Sequence, residues 1–177
     1  MADFKFIFAG FGGQGVLFAG KVAVSGGLYD GKEVSWLPSY GPEMRGGTAN
    51  CSVCICDEPV GSPLVLNPDV LVAMNQPSFD RFIGVVAQGA TVVYDSTLIN
   101  AENVRSDVKL FAVPATELAD KEGLKGLANI IILGKVYSET KFCSFDSLKE
   151  GVEHAVPPSK KHLIEANMKA IELGMNA

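Results

Sequence analysis

The sequence begins with a short apolar run, a glycine-rich loop and a helical pattern, in that order. Residues 4–9 are apolar except for Lys5, and the loop 10–15 that follows has the pattern G-x-G-x-x-G. Val16–Tyr29 then repeats apolar and small residues at spacings of three and four, which predicts a helix. A buried strand, a glycine loop and a helix N-terminus form an anion-binding site, because backbone N–H groups and the helix dipole point at one spot. The candidate ligand-binding residues are Gly10, Gly12, Gly13, Gln14 and Gly15.

The rest of the sequence alternates short apolar runs with helical patterns. Further strands are predicted at residues 33–37, 49–56, 70–74, 91–94 and 108–113. Further helices are predicted from residue 76 to near Gly89, at 115–121, 128–137, 145–154 and 159–174, the last with Ser159 as N-cap and Gly174 as the C′ glycine. This alternation predicts an α/β fold with three layers, a Rossmann-like and mostly parallel sheet flanked by helices. We expect the 177 residues to form one domain.

A second unusual segment, residues 38–47, contains two prolines and three glycines. Proline fixes φ and lacks an N–H, so this segment is neither a helix nor a central strand. A connection of this length exceeds the usual median in compact domains, and such loops are often functional. We expect it to face another subunit or a cofactor. The candidate interface or coenzyme A-facing residues are Tyr40, Gly41, Pro42, Glu43, Met44, Arg45, Gly46 and Gly47.

These two segments together resemble a known family. Residues 10–16 and 40–53, in this order, are similar to the gamma subunit of 2-oxoacid:acceptor oxidoreductases, and most of all to the 2-oxoglutarate type. Residues 68–77 and 129–134 extend the resemblance, which covers most of the chain from Phe6 to the C-terminal helix. Neither glycine-rich segment is specific by itself, but both in this order are quite specific.

The resemblance implies the reaction of the whole enzyme, the oxidative decarboxylation of a 2-oxoacid with coenzyme A to an acyl-CoA. Electrons would pass to ferredoxin or flavodoxin. Thiamine diphosphate, Mg²⁺ and iron–sulfur clusters would be carried by partner subunits, namely alpha, beta and, where there is one, delta. This chain would hold no cofactor and would be inactive alone. It would supply a docking surface and part of the coenzyme A path.

Other functions of the glycine loop remain open at this stage. A Rossmann dinucleotide site also needs an acidic residue at the end of its second strand, to bind the ribose. Glu33 stands at the start of the second predicted strand, and that strand ends at Leu37 and Pro38 without a carboxylate. A stand-alone nucleotide-binding protein is therefore one alternative. A gamma subunit for pyruvate or for branched-chain 2-oxoacids is another.

The sequence gives no sign of a catalytic nucleophile or a metal site. Cys51, Cys54 and Cys56 lie in one predicted strand, whose period of two places Cys54 and Cys56 on one face and Cys51 on the other. We expect them to be buried thiols rather than metal ligands. His154 and His162 have no acid–base partner at a suggestive spacing. There is no Walker A motif, no nucleophile elbow and no thiamine-type motif.

Charge and hydropathy exclude other classes of partner. The net charge of −5 argues against sequence-independent nucleic-acid binding, which needs a basic face. No apolar run approaches the length of a membrane span, and residues 1–10 do not read as a signal peptide, so we expect a cytoplasmic protein without membrane contact. The mean hydropathy of +0.22 is high for a soluble monomer and favours a well-buried parallel sheet together with surface hidden in a complex.

Overall fold

The structure, a computed structural model, describes residues 3–39, 48–102 and 104–177. The predicted interface loop, from Tyr40 to Gly47, lies outside these described residues. Strands in the described part of the chain are β1 (Phe4–Phe11), β2 (Glu33–Ser39), β3 (Thr48–Cys56), β4 (Val70–Ala73), β5 (Thr91–Asp95) and β6 (Lys109–Val113). Helices there are α1 (Val16–Tyr29), α2 (Gln76–Ile83), α3 (Ala115–Lys121), α4 (Ala128–Thr140), α5 (Phe145–Ala155) and α6 (Ile164–Met175).

The described strands form one sheet in the order β2-β3-β1-β4-β5-β6. β1 pairs in parallel with β4, β4 with β5 and β5 with β6, whereas β3 is antiparallel to both of its neighbours, β1 and β2. The α/β prediction is thus confirmed. Pro38 lies within β2, one residue beyond the predicted end of that strand. It is accommodated because β2 is an edge strand, where a missing N–H need not break a ladder.

The two faces of the sheet are covered very differently. On what we call the helical face, Phe6 and Phe8 of β1 pack into a core formed with α1, α3, α4, α5 and α6. α4 is buried nearly all round, as its sequence predicts, with Ile130 to Leu133 fully inaccessible. On the other side, the open face, the described cover is α2 and irregular segments at residues 57–67, 96–102 and 104–108.

Two predictions about the last helix are wrong. The α-helix begins at Ile164, after a 3₁₀ segment at Pro158–Leu163, so Ser159 is not its N-cap. Gly174 is not a C′ glycine either, since the helix runs past it to Met175. A Cβ built on Gly174 would lie 1.7 Å from the carbonyl oxygen of Ile131, and one on Gly134 2.1 Å from that of Ile171. Both glycines therefore serve the close approach of the α4 and α6 backbones.

Helices α1 and α5 are joined by a carboxylate at the end of α1. The Asp30 carboxylate accepts hydrogen bonds from the Ser144 backbone N–H at 2.9 Å and from the Ser147 hydroxyl at 3.0 Å. Ser144 is in turn the N-cap of α5. Partial burial by itself would raise the pKa of Asp30, but these hydrogen bonds and the nearby charge of Lys32 outweigh it and hold the pKa below its ordinary value.

In the described part of the chain, no helix is both long enough and apolar enough to cross a bilayer.

The lowered pKa of Asp30 predicts a pH-dependent contribution to stability. Because the folded state favours the ionised carboxylate, the contribution is present above about pH 4 and is lost as pH falls through the lowered folded pKa. Asp30→Asn should reduce the free energy of unfolding at pH 7 by about 1 kcal/mol. The deficit should shrink towards pH 3. Urea denaturation at both pH values measures it, with Asp120→Asn, an exposed aspartate, as the matched control. A deficit of equal size at both pH values would contradict this account.

Candidate functional site at the carboxyl ends of the central strands

The predicted glycine loop connects the central strand β1 to α1. Gly13 has φ +97° and Gly15 has φ +75°, a left-handed conformation that L side chains rarely adopt. Gly15 is also the N-cap residue of α1, and no side chain in the described ranges caps that helix end. The N–H groups of the first helical turn have no partner within the helix. The loop therefore stands at the N-terminal, positive end of α1, where an anion would meet backbone N–H donors.

The Gln14 side chain fixes the shape of this loop. Its amide oxygen accepts the Phe11 backbone N–H at 2.6 Å, and the Gln14 backbone N–H is donated to the Phe11 carbonyl at 3.1 Å, so the turn is closed twice. The amide nitrogen of Gln14 donates a hydrogen bond to the Met74 carbonyl at 2.8 Å. Gln14 thus ties the β1–α1 loop to the end of β4, and its polar atoms are engaged inside the protein. This geometry makes it a positioning residue for the loop.

Two buried asparagines hold the loop from the other side. Asn75, the N-cap of α2, accepts the Ser78 N–H and donates its own amide to Gln14 at 3.3 Å. Asn129 on α4 donates its amide to the Gly15 carbonyl at 2.9 Å. A Cβ on Gly15 would lie 2.5 Å from that amide nitrogen, which gives a second reason for glycine there. The amide oxygen of Asn129 is buried and lacks a hydrogen-bond partner among the described residues.

A buried carboxylate fixes the third element of the site. Asp95, fully buried at the end of β5, accepts the Thr116 hydroxyl at 2.5 Å and the Thr116 backbone N–H at 3.2 Å. It also accepts the Thr97 N–H at 3.1 Å. Because Thr116 stands in the first turn of α3, Asp95 holds the start of that helix against the carboxyl end of β5. The first turn of α3 consequently faces the glycine loop across a cleft.

This cleft has a volume of about 180 Å³. Its described lining residues are Gly13, Gln14, Met74, Thr116, Ala119, Asp120, Gly126 and Ala128. After β1 the chain continues to β2, towards one edge of the sheet, and after β4 it continues to β5, towards the opposite edge. The cleft therefore lies at a topological switch point outside the carboxyl ends of the strands, where open α/β sheets bind ligands.

The electrostatics of the cleft are unusual for an anion site. Asp120 is the one charged side chain among its described lining residues, and no lysine or arginine lines it in the same set. Binding an anion here would rest on backbone N–H groups and the helix dipole, together with any cation from outside the described ranges. The two ends of the loop 40–47 lie at this edge of the sheet, because Thr48 pairs with Phe11 at the end of β1 and Ser39 pairs with Asn50.

The structure also places the residues considered for a dinucleotide site. Glu33 is exposed at the start of β2, and the end of β2 is Ser39, so no carboxylate stands at the carboxyl end of that strand. β3 also separates β2 from β1. A Rossmann ribose contact needs an acidic residue at the end of the strand next to the glycine loop. The strand order therefore adds a second reason against stand-alone dinucleotide binding.

The cysteines lie as the strand period predicts. Cys51 packs in the core of the helical face, and Cys54 and Cys56 pack on the open face. All four cysteines are free thiols and buried, and the described residues contain no group of three metal-ligating side chains. Burial raises the pKa of Cys51 and of Cys143 to about 12. A thiol with such a pKa is a poor nucleophile and a poor ligand.

Neither histidine joins the cleft. The His154 ring on α5 meets the Tyr29 hydroxyl at 3.3 Å, and His162 lies in the 3₁₀ segment beside α6. The sequence predicts the glycine loop but does not identify the residues that hold the loop and the start of α3 in place, which are Met74, Asn75, Asp95, Thr116 and Asn129. One signal was available: Asn75-Gln76-Pro77 is a helix-opening sequence that directly follows a buried strand.

Comparison with known proteins identifies the family. Residues 5–177 match the family described as pyruvate ferredoxin/flavodoxin oxidoreductase. The ketoisovalerate oxidoreductase subunit VorA of Methanothermobacter thermautotrophicus is 42% identical over 94% of this chain, but this chain spans only about a third of that relative's length, 34%. The 2-oxoglutarate synthase subunit KorC of Methanocaldococcus jannaschii is 35% identical over 94% of this chain and 89% of its own length.

Two solved structures share the fold. The gamma subunit of a keto/oxoacid ferredoxin oxidoreductase from Geobacter sulfurreducens superimposes with a TM-score of 0.82 at 28% identity, covering 98% of this chain and 96% of that one. A 2-oxoglutarate:ferredoxin oxidoreductase from Magnetococcus marinus has a TM-score of 0.88 at 21% identity, over 99% of this chain and 31% of that one, and shows the fold alone. The resemblance found in the sequence is confirmed: this chain belongs to the pyruvate ferredoxin/flavodoxin oxidoreductase family, as a homologue of its gamma subunits.

Proposed function

We propose that this chain is the gamma subunit of a cytoplasmic 2-oxoglutarate:ferredoxin or flavodoxin oxidoreductase. The complex would oxidatively decarboxylate 2-oxoglutarate with coenzyme A and pass the electrons to ferredoxin or flavodoxin. The observation that carries the proposal is the match to the 2-oxoglutarate synthase subunit KorC, which runs over 94% of this chain and 89% of that subunit. A match along nearly the whole of both chains supports an equivalent role for the whole subunit.

Within this complex, the other subunits would supply the reaction centre. Alpha and beta subunits, and a delta subunit where there is one, would hold thiamine diphosphate, Mg²⁺ and the iron–sulfur clusters. This chain would be inactive alone and would contribute a docking surface and part of the coenzyme A path. Its four thiols are buried, which supports placing the clusters elsewhere.

The cleft beside the glycine loop is our candidate for the coenzyme A contact. A phosphate group of coenzyme A would accept hydrogen bonds from the first-turn N–H groups of α1, at its positive end. Gln14 and Asn129 would keep those donors fixed, so that little ordering would accompany binding. The cationic partner would be Arg45, whose loop starts and ends at this edge of the sheet, at Ser39 and Thr48.

A second substrate has a specific observation in its favour. The VorA relative, at 42%, has the higher identity of the two, which supports a branched-chain 2-oxoacid. That match covers only 34% of the relative, whose remaining two-thirds have no counterpart in this chain. Pyruvate synthase subunits named PorC match at 28%. We therefore rank 2-oxoglutarate first, the branched-chain acids second and pyruvate third.

Reconstitution tests this ranking. The chain would be co-purified with its partner subunits, and dye or ferredoxin reduction would be measured with 2-oxoglutarate, 2-oxoisovalerate and pyruvate, with and without coenzyme A. We expect coenzyme A-dependent turnover with the highest kcat/KM for 2-oxoglutarate, and none from this chain alone. A higher kcat/KM for 2-oxoisovalerate would reverse the ranking, and turnover by the isolated chain would refute the assignment as a gamma subunit.

Gly13 tests the glycine loop without touching the core. Gly13→Ala forces a side chain into a left-handed φ and adds a methyl group to the cleft, although nothing lies within 4 Å of the new Cβ. Gly89→Ala has the same kind of strain, at φ +78° and also in open space, but lies away from the cleft. We expect Gly13→Ala to raise the KM for coenzyme A about tenfold, about 1.4 kcal/mol. Gly89→Ala should leave it unchanged. Equal KM values for both variants would make the loop a simple connector.

Arg45 tests the loop 40–47. The sequence predicts at most a weak, solvated pair between Arg45 and Glu43, so we expect Arg45→Ala to leave the thermal midpoint of the isolated chain nearly unchanged. In the complex it should weaken assembly or raise the KM for coenzyme A by about 2 kcal/mol, the loss of a charged contact. Lys149→Ala, which removes an exposed charge on α5 outside the lining of the cleft, is the control. If both assembly and coenzyme A kinetics stay at wild-type values, this loop has neither role.

A further inference from the structure

The open face of the sheet carries an apolar groove. The groove lies between the end of β2 and the end of α2, with a volume of about 410 Å³. Leu37 and Pro38 form one wall, Phe82 and Val85 form the other, and Ile7 of β1 lies at its floor. Sheets with parallel central strands are normally covered on both faces. The groove is therefore a place where cover is missing from the described residues.

Large apolar side chains around this groove are exposed. Leu66 is 69% exposed, Leu64 56%, Val85 42% and Leu37 39%. Four such side chains around one groove form a contiguous patch rather than scattered surface residues, and patches of this kind mark interaction sites. Arg81 stands at the rim, and Ser39, Asn50 and Ser52 add polar groups, which is the usual composition of an apolar interface centre with a polar margin.

The two most exposed leucines are held in place by the residue between them. Val65 is 5% exposed in the open-face core, and its backbone N–H is donated to the Ser52 hydroxyl of β3 at 3.3 Å. The Leu64 N–H is donated to the Ser62 hydroxyl at 3.2 Å. Val65 thus anchors the segment inward while Leu64 and Leu66 stand outward. A segment fixed in this way loses little conformational entropy when a partner covers it.

The relatives indicate what covers this face. In the VorA relative the matching region is 34% of a single polypeptide, and in the Magnetococcus structure the same fold is 31% of the chain. In KorC it is 89% of the subunit. The same domain is therefore attached to a much larger body in some proteins and is nearly the whole chain in another. Such a larger body needs a surface to pack against, and an apolar face left open in the separate domain has the composition of such a surface.

We propose that this groove, with Leu64 and Leu66 on its margin, docks the partner subunit that is equivalent to the remaining two-thirds of the VorA-type chain. This proposal rests on the proposed function as a gamma subunit. The partner surface would carry aliphatic or aromatic side chains that enter the groove and few charges at its centre. Burying about 800 Å² on this side would make it a standard interface. Ser39, one of the residues that line the groove, is the last described residue before the loop 40–47 in the sequence.

The test compares leucines on the two sides of the sheet in the reconstituted complex. Leu64→Ser with Leu66→Ser removes the exposed pair, and Leu28→Ser removes a leucine of α1 that is 55% exposed on the helical side. We expect all variants to keep the wild-type thermal midpoint as isolated chains. The dissociation constant for the partner subunit should rise tenfold or more for the double variant, and less than twofold for Leu28→Ser. Val85→Glu, on the other wall of the groove, should also raise the dissociation constant tenfold or more. This second variant keeps the test decisive if the double variant proves unstable.

Hydrogen exchange provides a second readout. Assembly should slow amide exchange at Leu37 and Ser39 and in residues 64–66 and 82–85, while exchange on the outer surface of α1 stays unchanged. Wild-type affinity for both groove variants would overturn the docking face while leaving the gamma-subunit assignment intact. Failure of the wild-type chain to bind the partner subunit at all would instead refute the proposed function. A wild-type dimer that becomes monomeric in the double variant, with unchanged partner affinity, would assign the groove to a second copy of this chain and overturn the proposal.

Discussion

The candidate site depends on a single amide, the side chain of Gln14. Its oxygen accepts the Phe11 backbone N–H and so closes the turn of the glycine loop. Its nitrogen donates a hydrogen bond to the Met74 carbonyl at the end of β4. The two strands on either side of the switch point are therefore joined beyond their last ladder hydrogen bonds. Asn75 donates to the same oxygen and caps α2, so the loop and the start of α2 depend on the same group. Without this link the glycine loop would lose its tie to the end of β4, and Asn129 alone would hold it at Gly15.

Local signals explain what could be predicted from the sequence. Val16–Tyr29 and Ala115–Lys121 have the predicted bounds, because glycines, a proline and clear periodicity mark their ends. The sequence predicts too early a start for the last helix because Ser159 resembles an N-cap locally, whereas the α-helix begins only after the 3₁₀ segment. The wrong prediction for Gly174 has a related reason. Its role is to let α6 approach Ile131 of α4, a contact between residues distant in the sequence.

The site shows the same division between local and distant information. The glycine loop and the helix after it follow from a short motif, and the sequence predicts both. Asn129 reaches that glycine from 114 positions away, and Asp95 reaches Thr116 across 21. Nothing in the spacing of these residues indicates that they meet. The insertion of antiparallel β3 between β1 and β2 is likewise a property of strand pairing, which periodicity within one strand does not encode.

The buried cysteines have a consequence for how the chain reacts with thiol reagents. Because burial raises the pKa of Cys51 and Cys143 to about 12, almost none of these thiols is ionised at neutral pH. Oxidants and alkylating reagents attack the thiolate, so we expect these two thiols to react very slowly in the native chain. A thiol reagent would then reach these two cysteines only when the helical face opens. The rate of their reaction would therefore measure local unfolding rather than redox state.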